Sequence, residues 1–494
     1  MATSWRAMGD PLCDAALETL FPTASSSVGK DLLASLEQYV ADNPGPNPAR
    51  EFLDKVSQLP PGGIQVSDED VELGQTFFLD YAIQIMQALL HYSLAAGFAS
   101  ARIVRTLQAV SYLIPPVRKK APECTEPTQM ESTTTDSRTF TRLMETFQFV
   151  LDVMGCTIDP PASSEKWGKA AYLMPGGEGW KSAVRVRMLH GVARRRARER
   201  LRNIESHDTE QEGVPISQED MSATLASFST VPIWALHRLH LSPSKSQVAA
   251  YLALWRHVGF YLGVSPAILT RYLPTPATAD KFLASLVLDL FSPPSPSSQP
   301  LDPSTLPTLP ILRAVSTHSP PSSRASLAHN IAVTRHLAGP ALATHLGLPR
   351  PSPLTLFRLH LALLIQRLPV WFATYYPRRA WRAKRRRVLR EGIARSLRWN
   401  LGLRHVSFRP RTEVRSVVED GEFDRRQDLG GELGGGVKEA ESVPPNPAAG
   451  RRLTRAWREV LIEMVGVSVG VSLTVCLLLW WTLILLSNLF LPST

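Results

Sequence analysis

The chain has 494 residues, of which 44% are hydrophobic, and a formal net charge of +10. This length and apolar content are enough for a large buried core, which excludes a wholly disordered chain. Its four cysteines lie far apart and form neither a CxxC pair nor a CxxCH motif. The spacing therefore excludes a disulfide scaffold, a zinc module and covalently attached haem, and it fits a reducing compartment.

The N-terminal half of the chain is predicted to be helical. Its first residues, MATSWRAMGD, contain no apolar run, so we expect no secretory signal peptide. Helical apolar spacing occurs at residues 29–40, 71–98, 102–114, 138–154 and 181–202. Residues 71–98 are apolar on almost every side, with a thin polar line that includes Gln84 and His91, so they predict a buried core helix and not a membrane span. Residues 118–136 predict a polar loop, and 156–179 an irregular connection.

One face of the predicted helix at 138–154 is mostly polar. Arg142, Glu145, Thr146 and Phe149 are spaced i, i+3, i+4 and i+7, which places them on one side of the helix. A guanidinium and a hydroxyl on one face can stabilise developing negative charge. The alternative is an exposed arginine beside an ordinary β-branched helix residue.

The predicted helix at 181–202 contains the string Arg187-Met188-Leu189-His190-Gly191-Val192-Ala193-Arg194. Arg187, His190 and Arg194 share a face, and Gly191 leaves room for a flat group beside the histidine. A neutral imidazole is a good iron ligand, and two guanidiniums suit the two propionates of a haem. They should also depress the pKa of the histidine. The alternative is a histidine on a basic surface helix that contacts nucleic acid or lipid.

Further helices are predicted downstream. Ser217 and Asp220 resemble a capping box at the start of one helix, and residues 244–262, 279–291, 326–346 and 354–376 predict four more. Residues 292–324 are rich in Pro and Ser and predict an insertion with little order. His237 and His240 lie one turn apart without a nearby carboxylate, so we interpret them as surface residues and not as metal ligands. His257 is interpreted as a satisfied or exposed histidine.

The C-terminal part of the sequence predicts membrane contact. Residues 354–376 are apolar but contain Arg358, His360 and Arg367, which favours a core or membrane-facing helix over a span. The basic run at 378–390 favours contact with anionic lipid over nucleic acid, for which no binding module is recognisable. Residues 411–450 are acidic and Gly-rich and predict a flexible linker.

The last thirty residues contain the longest apolar run in the chain. Residues 464–494 carry no charge, and arginines precede them at 451–458. About 20 apolar residues cross the hydrocarbon, and flanking arginines favour the cytosolic side. The pattern predicts a single-pass tail anchor with the globular part in the cytosol.

Several short motifs resemble the family of ER-bound oxygenases and rubber oxygenases, the latex clearing proteins. The central one is Arg187-x-x-His190-x-x-x-Arg194. In the same order along the chain, others are Gly9-Asp10-Pro11 with Asp14, Gly74 to Phe78, Arg142-x-x-x-Thr146, Pro215 to Ser229, Tyr251 to Gly263, and His336 to Gly339. The resemblance covers roughly residues 5–410.

The resemblance implies an all-α, globin-like core with additional helices that binds haem b non-covalently. It makes His190 the axial iron ligand, and Arg187 and Arg194 would hold the propionates or buttress the histidine helix. Arg142 and Thr146 would lie above the iron and polarise bound dioxygen. Some rubber oxygenases carry a lysine that caps the iron at the position of Glu145. Here a carboxylate replaces it and becomes a candidate acid–base group.

The resemblance also implies an activity. The family cleaves carbon–carbon double bonds in polyprenyl chains, so we expect a haem-dependent oxygenase that uses O2 on a lipophilic substrate, isoprenoids being one class. The expected domains are a catalytic domain at 1–410, a linker at 411–450, and a basic flank with a transmembrane anchor at 451–494, in the endoplasmic reticulum. The alternative is a non-enzymatic tail-anchored protein that binds lipid headgroups or protein partners. No nucleic-acid partner is expected.

Overall fold

Helices make up all the regular secondary structure of the described residues. The structure, a computed structural model, describes residues 2–110, 129–156, 168–201, 213–291, 306–318, 325–401, 405–406, 408–411 and 447–490. Within these ranges no strand occurs, which confirms the all-α prediction.

The described residues contain twenty helices, ten of them before residue 202 and ten after it. The first ten are α1 (Ala2–Arg6), α2 (Pro11–Leu20), α3 (Leu32–Asp42), α4 (Pro48–Val56), α5 (Asp68–Asp80), α6 (Ala82–Ala88), α7 (Ala95–Gly97), α8 (Ala101–Val110), α9 (Gln129–Val153) and α10 (Glu178–Leu201). The others are α11 (Gln218–Arg238), α12 (Lys245–Tyr261), α13 (Pro266–Tyr272), α14 (Pro276–Phe291), α15 (Thr308–His318), α16 (Leu327–Ala338), α17 (Pro340–His345), α18 (Pro353–Tyr375), α19 (Arg379–Asn400) and α20 (Pro447–Phe490). A π-helical turn, Leu89–Leu94, joins α6 to α7, and short 3-10 turns lie at Ser25–Ser27 and Gly168–Leu173.

The helices from α5 to α7 form a nearly continuous rod through the core. Phe77 and Phe78 are fully buried, and the Phe77 ring lies 4.7 Å from the ring of Tyr251 on α12. Gly74 allows this close approach, because a Cβ there would lie 3.3 Å from the carbonyl oxygen of Ala250. The rod is therefore a core element, as the apolar pattern of residues 71–98 predicts.

Side-chain caps fix the start of the two helices that follow the histidine helix. The Ser217 hydroxyl accepts from the Asp220 N–H while the Asp220 carboxylate accepts from the Ser217 N–H, as predicted. Ser244 and Gln247 form an equivalent box on α12. Each box satisfies backbone donors that a helix start leaves unpaired.

Two predicted irregular segments contain helix. Within the Pro/Ser-rich stretch 292–324, residues 308–318 form α15, and Ile311 and Leu312 are buried in the core. The prediction of little order is therefore wrong for these residues. The apolar side chains of α15 share one face of the helix and are buried, and the Pro/Ser-rich composition of the stretch did not indicate such a face. Residues 292–305 and 319–324 lie outside the described residues. Helix α9 begins at Gln129, inside the predicted loop at 118–136, and most of the linker, 412–446, is also outside the described residues.

A segment after α19 joins α9 to α10. The amide of Gln148 donates to Val406 O, and the Val406 N–H donates back to Gln148 Oε1. His405 Nε2 lies 3.2 Å from a carboxylate oxygen of Asp152, whose other oxygen accepts from Ser182 on α10. His405 and Val406 therefore tie together the two helices that carry the predicted site.

The His405–Asp152 contact predicts a pH dependence of stability. Burial lowers the pKa of His405, but hydrogen bonding to Asp152 and the charges of Asp152 and Glu178 outweigh it, so the pKa is raised. A raised histidine pKa gives stability that is complete below the unfolded value of about 6.5 and is lost as pH rises through the folded value.

We therefore expect His405→Gln to lower the melting temperature more at pH 5.5 than at pH 8.5. Thermal unfolding of both proteins across this range measures the difference. A melting-temperature gap that widened with rising pH would contradict the assignment.

The C-terminal helix is long and mostly exposed. Residues Ala448–Ser487 are long and apolar enough to cross a membrane, and none of their most apolar stretch is buried. The N-terminal part of α20 packs on α19, where Trp381 Nε1 donates to Val460 O and Arg378 pairs with Glu463 at 2.7 Å. The apolar helix predicted at the C-terminus is present, and its base is attached to the helical body.

Candidate active site around His190

His190 lies in the middle of α10, one of the longest helices of the core. Its ring is half-buried, and among the described residues its Nδ1 atom has no hydrogen-bond partner although that atom is fully buried. Burial and the charge of Arg194 lower the pKa of His190 to about 4, against the opposing charge of Asp10. The imidazole is therefore neutral at physiological pH, which is the form that ligates a metal.

Two other buried histidines differ from His190 because their ring nitrogens have partners. His257 accepts from the Val66 N–H at 3.2 Å and lies 3.3 Å from Leu173 O through its other nitrogen, so it is a satisfied core residue, as predicted. His91 Nδ1 lies 2.9 Å from the hydroxyl of Thr334. Burial lowers the pKa of His91 to about 3 and that of His257 to about 4. An unpartnered buried nitrogen therefore separates His190 from these two core histidines.

The two arginines of the motif pair with carboxylates of the N-terminal segment. Arg187 is buried and makes a bidentate ion pair with Asp10, with N–O distances of 2.7 and 2.9 Å. Arg194 is 1% exposed, pairs with Asp14, and donates to the carbonyl oxygen of Ile216 at 3.1–3.2 Å. Of the two roles expected for these arginines, holding haem propionates or buttressing the histidine helix, these contacts correspond to the second.

The face of α10 that carries Gly191 is covered by α2. A Cβ on Gly191 would lie 2.4 Å from Leu17 Cδ1 and 3.2 Å from Cys13 Sγ. The space that the sequence suggested for a flat group is therefore filled by a neighbouring helix, because the chain folds its N-terminus back onto α10.

A different strip of α10 is accessible. Val186, Leu189, His190 and Ala193 follow the i, i+3, i+4, i+7 pattern and are each only half-buried. Met188 and Val192, on the other side of the helix, are buried, and so is Ala197, which continues the strip one turn further on. His190 therefore sits at the edge of two faces, one packed against α2 and one apolar and partly exposed.

The predicted polar face of α9 is present, and its members contact each other. Arg142 Nη1 lies 2.9 Å from Glu145 Oε2, and Arg411 pairs with the other carboxylate oxygen of Glu145. Glu145 is 4% exposed. The Thr146 hydroxyl donates to the carbonyl oxygen of Arg142 at 3.1 Å, so its proton is used within the helix. Phe149 is buried against Phe228, 6.3 Å between ring centroids, and belongs to the core.

Helix α9 packs directly against α10, which brings the two predicted site groups onto neighbouring elements. The connection runs partly through residues outside both helices, since Arg196 on α10 donates to the backbone oxygen of Arg411 at 2.9 Å. Neither spacing nor composition identified Arg411, Asp10 or Asp14 as partners, because each pairs across more than 170 residues of chain. A basic motif without local acidic partners was the only available signal.

An apolar cavity lies on the opposite side of α9. Its volume is about 500 Å³, and α6, α9, α19 and α20 line it with side chains that include Met86, Phe147, Ile393 and Trp457. By their apolar composition, the helices at residues 77–98 and 354–376 are both candidates to line a pocket for a lipophilic chain. The first of these ranges contributes Ile83 and Met86, whereas the second, α18, does not line this cavity.

The histidine pair His237 and His240 is exposed, which agrees with the surface interpretation. Within the described residues, no group of three or more His, Cys, Asp or Glu side chains is arranged to hold a metal ion. Axial ligation by a single histidine, which a haem requires, does not depend on such a group.

Comparisons with known proteins identify the fold and the family. A search of curated proteins finds no match. A solved structure of latex clearing protein in its closed state matches with a TM-score of 0.51 and 17% identity, covering 79% of this chain and 90% of that chain. The family model described as ER-bound oxygenase mpaB/B′/rubber oxygenase, catalytic domain, matches residues 81–418. The chain belongs to this family of oxygenases and is an oxidoreductase.

Proposed function

We propose that the protein is a membrane-anchored, haem b-dependent oxygenase that uses O2 to cleave or oxygenate a carbon–carbon double bond in a lipophilic, isoprenoid-type substrate. The observation that carries the proposal is His190, a neutral imidazole with an unpartnered buried nitrogen, on a partly exposed apolar strip. Membership of an oxygenase family favours this function over a purely structural membrane protein.

The residues around His190 suit a haem, which the imidazole of His190 would hold. The strip of Val186, Leu189 and Ala193 offers small and apolar side chains beside the imidazole, as a porphyrin face requires. Arg187 and Arg194 are paired with Asp10 and Asp14, so we assign them to holding α10 in place and not to the propionates. These ion pairs fix the orientation of α10, and the charges of Arg194 and Asp10 shift the pKa of His190 in opposite directions.

A bound haem would supply the iron that activates O2. The chain supplies positioning and charge. Arg142 presents a guanidinium held by Glu145, which would suit stabilisation of negative charge that develops on the substrate. Thr146 is the weaker candidate for this role, because its hydroxyl proton is bound to its own helix.

Glu145 is the candidate acid–base residue. Its carboxylate is buried between Arg142 and Arg411, on the same helix face as Thr146. Because a positioned carboxylate contributes about 10²–10⁴-fold to proton transfer, we expect Glu145→Gln to lower kcat by at least about 10²-fold without changing haem content.

Rates and absorbance spectra of wild type, Glu145→Gln and the exposed control Glu37→Gln test this role. The pH profile separates it from a structural one. Loss of one limb of the kcat profile in Glu145→Gln supports proton transfer, whereas an unchanged profile at a lower rate would contradict it.

Membrane anchorage through α20 completes the proposal. Its charge-free stretch is long enough to cross the hydrocarbon, and Arg451, Arg452, Arg455 and Arg458 precede it. The positive-inside rule assigns that flank, and with it the helical body, to the cytosol. The endoplasmic reticulum is the membrane that we propose, in keeping with the description of the family. An anchored enzyme would meet a substrate that partitions into lipid.

The activity is tested with the purified full chain in detergent, loaded with haem and given a polyprenyl substrate. We expect O2 consumption and new carbonyl groups in the product that depend on both protein and substrate. A haem-loaded protein that consumed no O2 with any polyprenyl chain would contradict the substrate class, and a protein that took up no haem would contradict the mechanism.

A further inference from the structure

Helix α18 has an exposed apolar face that runs along its whole length. Large side chains recur at helical spacing on this face and are 40–83% exposed. They are Leu354, Phe357, Leu361, Leu364, Ile365, Leu368, Trp371 and Tyr375. The opposite side of α18 holds the buried residues Leu359, Leu363, Val370 and Ala373, which pack on the helical body. We call the exposed face the α18 stripe.

The stripe is too large to be an ordinary feature of a surface in water. It spans the 22 residues from Leu354 to Tyr375, whose Cα atoms extend over about 32 Å of helix at 1.5 Å per step. Contiguous apolar patches of this extent mark contact with a membrane or a partner. Helix α18 is also long and apolar enough to cross a membrane. One of its sides packs on the helical body, however, and this contact excludes it from crossing a bilayer.

The C-terminal end of α18 is attached to the base of α20. The Tyr376 hydroxyl donates to Glu463 Oε1 at 2.8 Å, and the Phe372 ring lies 4.8 Å from the ring of Trp381, whose indole donates to Val460 O. Glu463 is the last charged residue before the charge-free run of α20. The end of the stripe is therefore level with the point where α20 would enter the hydrocarbon.

From this continuity we propose that the α18 stripe lies in the cytosolic leaflet as a second, in-plane membrane contact. An amphipathic helix of this kind buries its apolar face at the boundary of headgroups and acyl chains. Together with α20 it would hold the helical body in one orientation on the bilayer. The inference rests on the anchorage proposed for α20.

The full chain in nanodiscs that contain a diazirine-bearing phosphatidylcholine provides the test. After photolysis and trypsin digestion, lipid adducts are mapped to four peptides. Residues 359–367 and 368–378 report the stripe, 459–494 reports α20, and 31–50, which carries the exposed side of α3, is the aqueous control.

Adducts on both stripe peptides and on 459–494, with none on 31–50, support the inference. Adducts on 459–494 alone would overturn it and leave the anchorage intact, whereas stripe adducts without α20 adducts would overturn the anchorage instead. Leu361→Glu with Leu364→Glu should remove the adducts on 359–367 only.

The cavity behind α9 carries a second, independent inference. Its volume of about 500 Å³ lies within the range of about 300–1,000 Å³ typical of ligand sites. Its walls are almost entirely apolar, and its polar lining is limited to Ser396, Asn400 and Thr454. The exposed residues Arg455 and Arg458 lie beside Thr454 and Trp457, one or two turns before the charge-free part of α20.

An apolar cavity with cationic side chains nearby fits one ligand chemistry. We infer that it binds the hydrocarbon chain of an anionic, single-chain amphiphile. The carboxylate or phosphate would remain at the arginines, because a buried anion without a partner is unfavourable. The cavity is on the side of α9 opposite Arg142 and Thr146, so this site is distinct from the proposed active site.

Crosslinking of the full chain by a diazirine-bearing C18 fatty acid tests the inference. We expect saturable adducts on α9, α19 or α20 that oleate displaces and oleyl alcohol displaces poorly. Gly392→Phe should abolish them by filling the cavity, and Ala383→Phe, on the exposed side of α19, should not. Non-saturable adducts, or equal crosslinking of Gly392→Phe, would overturn the inference.

Discussion

Replacement of His190 by Ala should abolish haem binding while leaving the helical fold intact. The imidazole is the axial ligand in the proposed site, and Ala is well tolerated in a helix interior, so the backbone of α10 should persist. The measurement is haem content per chain from the Soret band and the pyridine haemochrome spectrum, with far-UV circular dichroism as the check on folding.

The matched control is His257→Ala, which removes another buried histidine of the core. Its loss should lower stability, because the Val66 N–H loses its acceptor, yet haem content in the folded fraction should stay at the wild-type value. A His190→Ala protein that retained stoichiometric haem would show that another residue ligates the iron.

Breaking the Asp10–Arg187 pair should destabilise the protein by about 3–5 kcal/mol, which is the usual cost of leaving one buried charge without its partner. Asp10 and Arg187 are 4% and 8% exposed, so solvent cannot compensate for the loss. We expect Asp10→Ala to lower the free energy of unfolding by this amount and to weaken haem retention, since the pair holds α10 beside His190. Chemical unfolding monitored by circular dichroism measures the first effect.

Two further variants separate the buried charge from the packing. Glu72→Ala removes a partner from the Lys169–Glu72 pair, whose side chains are 59% and 63% exposed, and should change stability by less than about 1 kcal/mol. Asp10→Leu with Arg187→Met removes both charges together and should recover most of the stability that Asp10→Ala loses. Equal losses in the single and double variants would show that the ion pair itself is not the cause.

Much of the helical architecture could be predicted from apolar periodicity. The buried rod at residues 71–98, the capping box at Ser217 and the apolar C-terminal helix were all recognisable, because each depends on residues close together in sequence. The helix at 308–318 was missed, because Pro and Ser dominate the residues on either side of it.

The site was only partly predictable, for a related reason. The spacing of Arg187, His190 and Arg194 correctly predicted a shared helix, but it did not reveal which group each arginine would meet. Asp10 and Asp14 reach α10 through the packing of α2, and no local pattern encodes a pairing across so much chain. Helix geometry also placed Gly191 beside the histidine without indicating that Leu17 would occupy that space.

For α18, the sequence predicted the helix but left its environment open. Composition predicted either a core or a membrane-facing helix, and the structure buries only one side of it. The distinction depends on which neighbours the fold supplies, and these are known only when the helices are assembled.

The absorption spectrum of the full chain, purified in detergent after expression with added haem, tests the central claim most directly. The account predicts an intense Soret band and a b-type pyridine haemochrome at about one haem per chain. A folded, colourless protein that takes up no haem would contradict the assignment of His190 as an iron ligand and, with it, the proposed oxygenase mechanism.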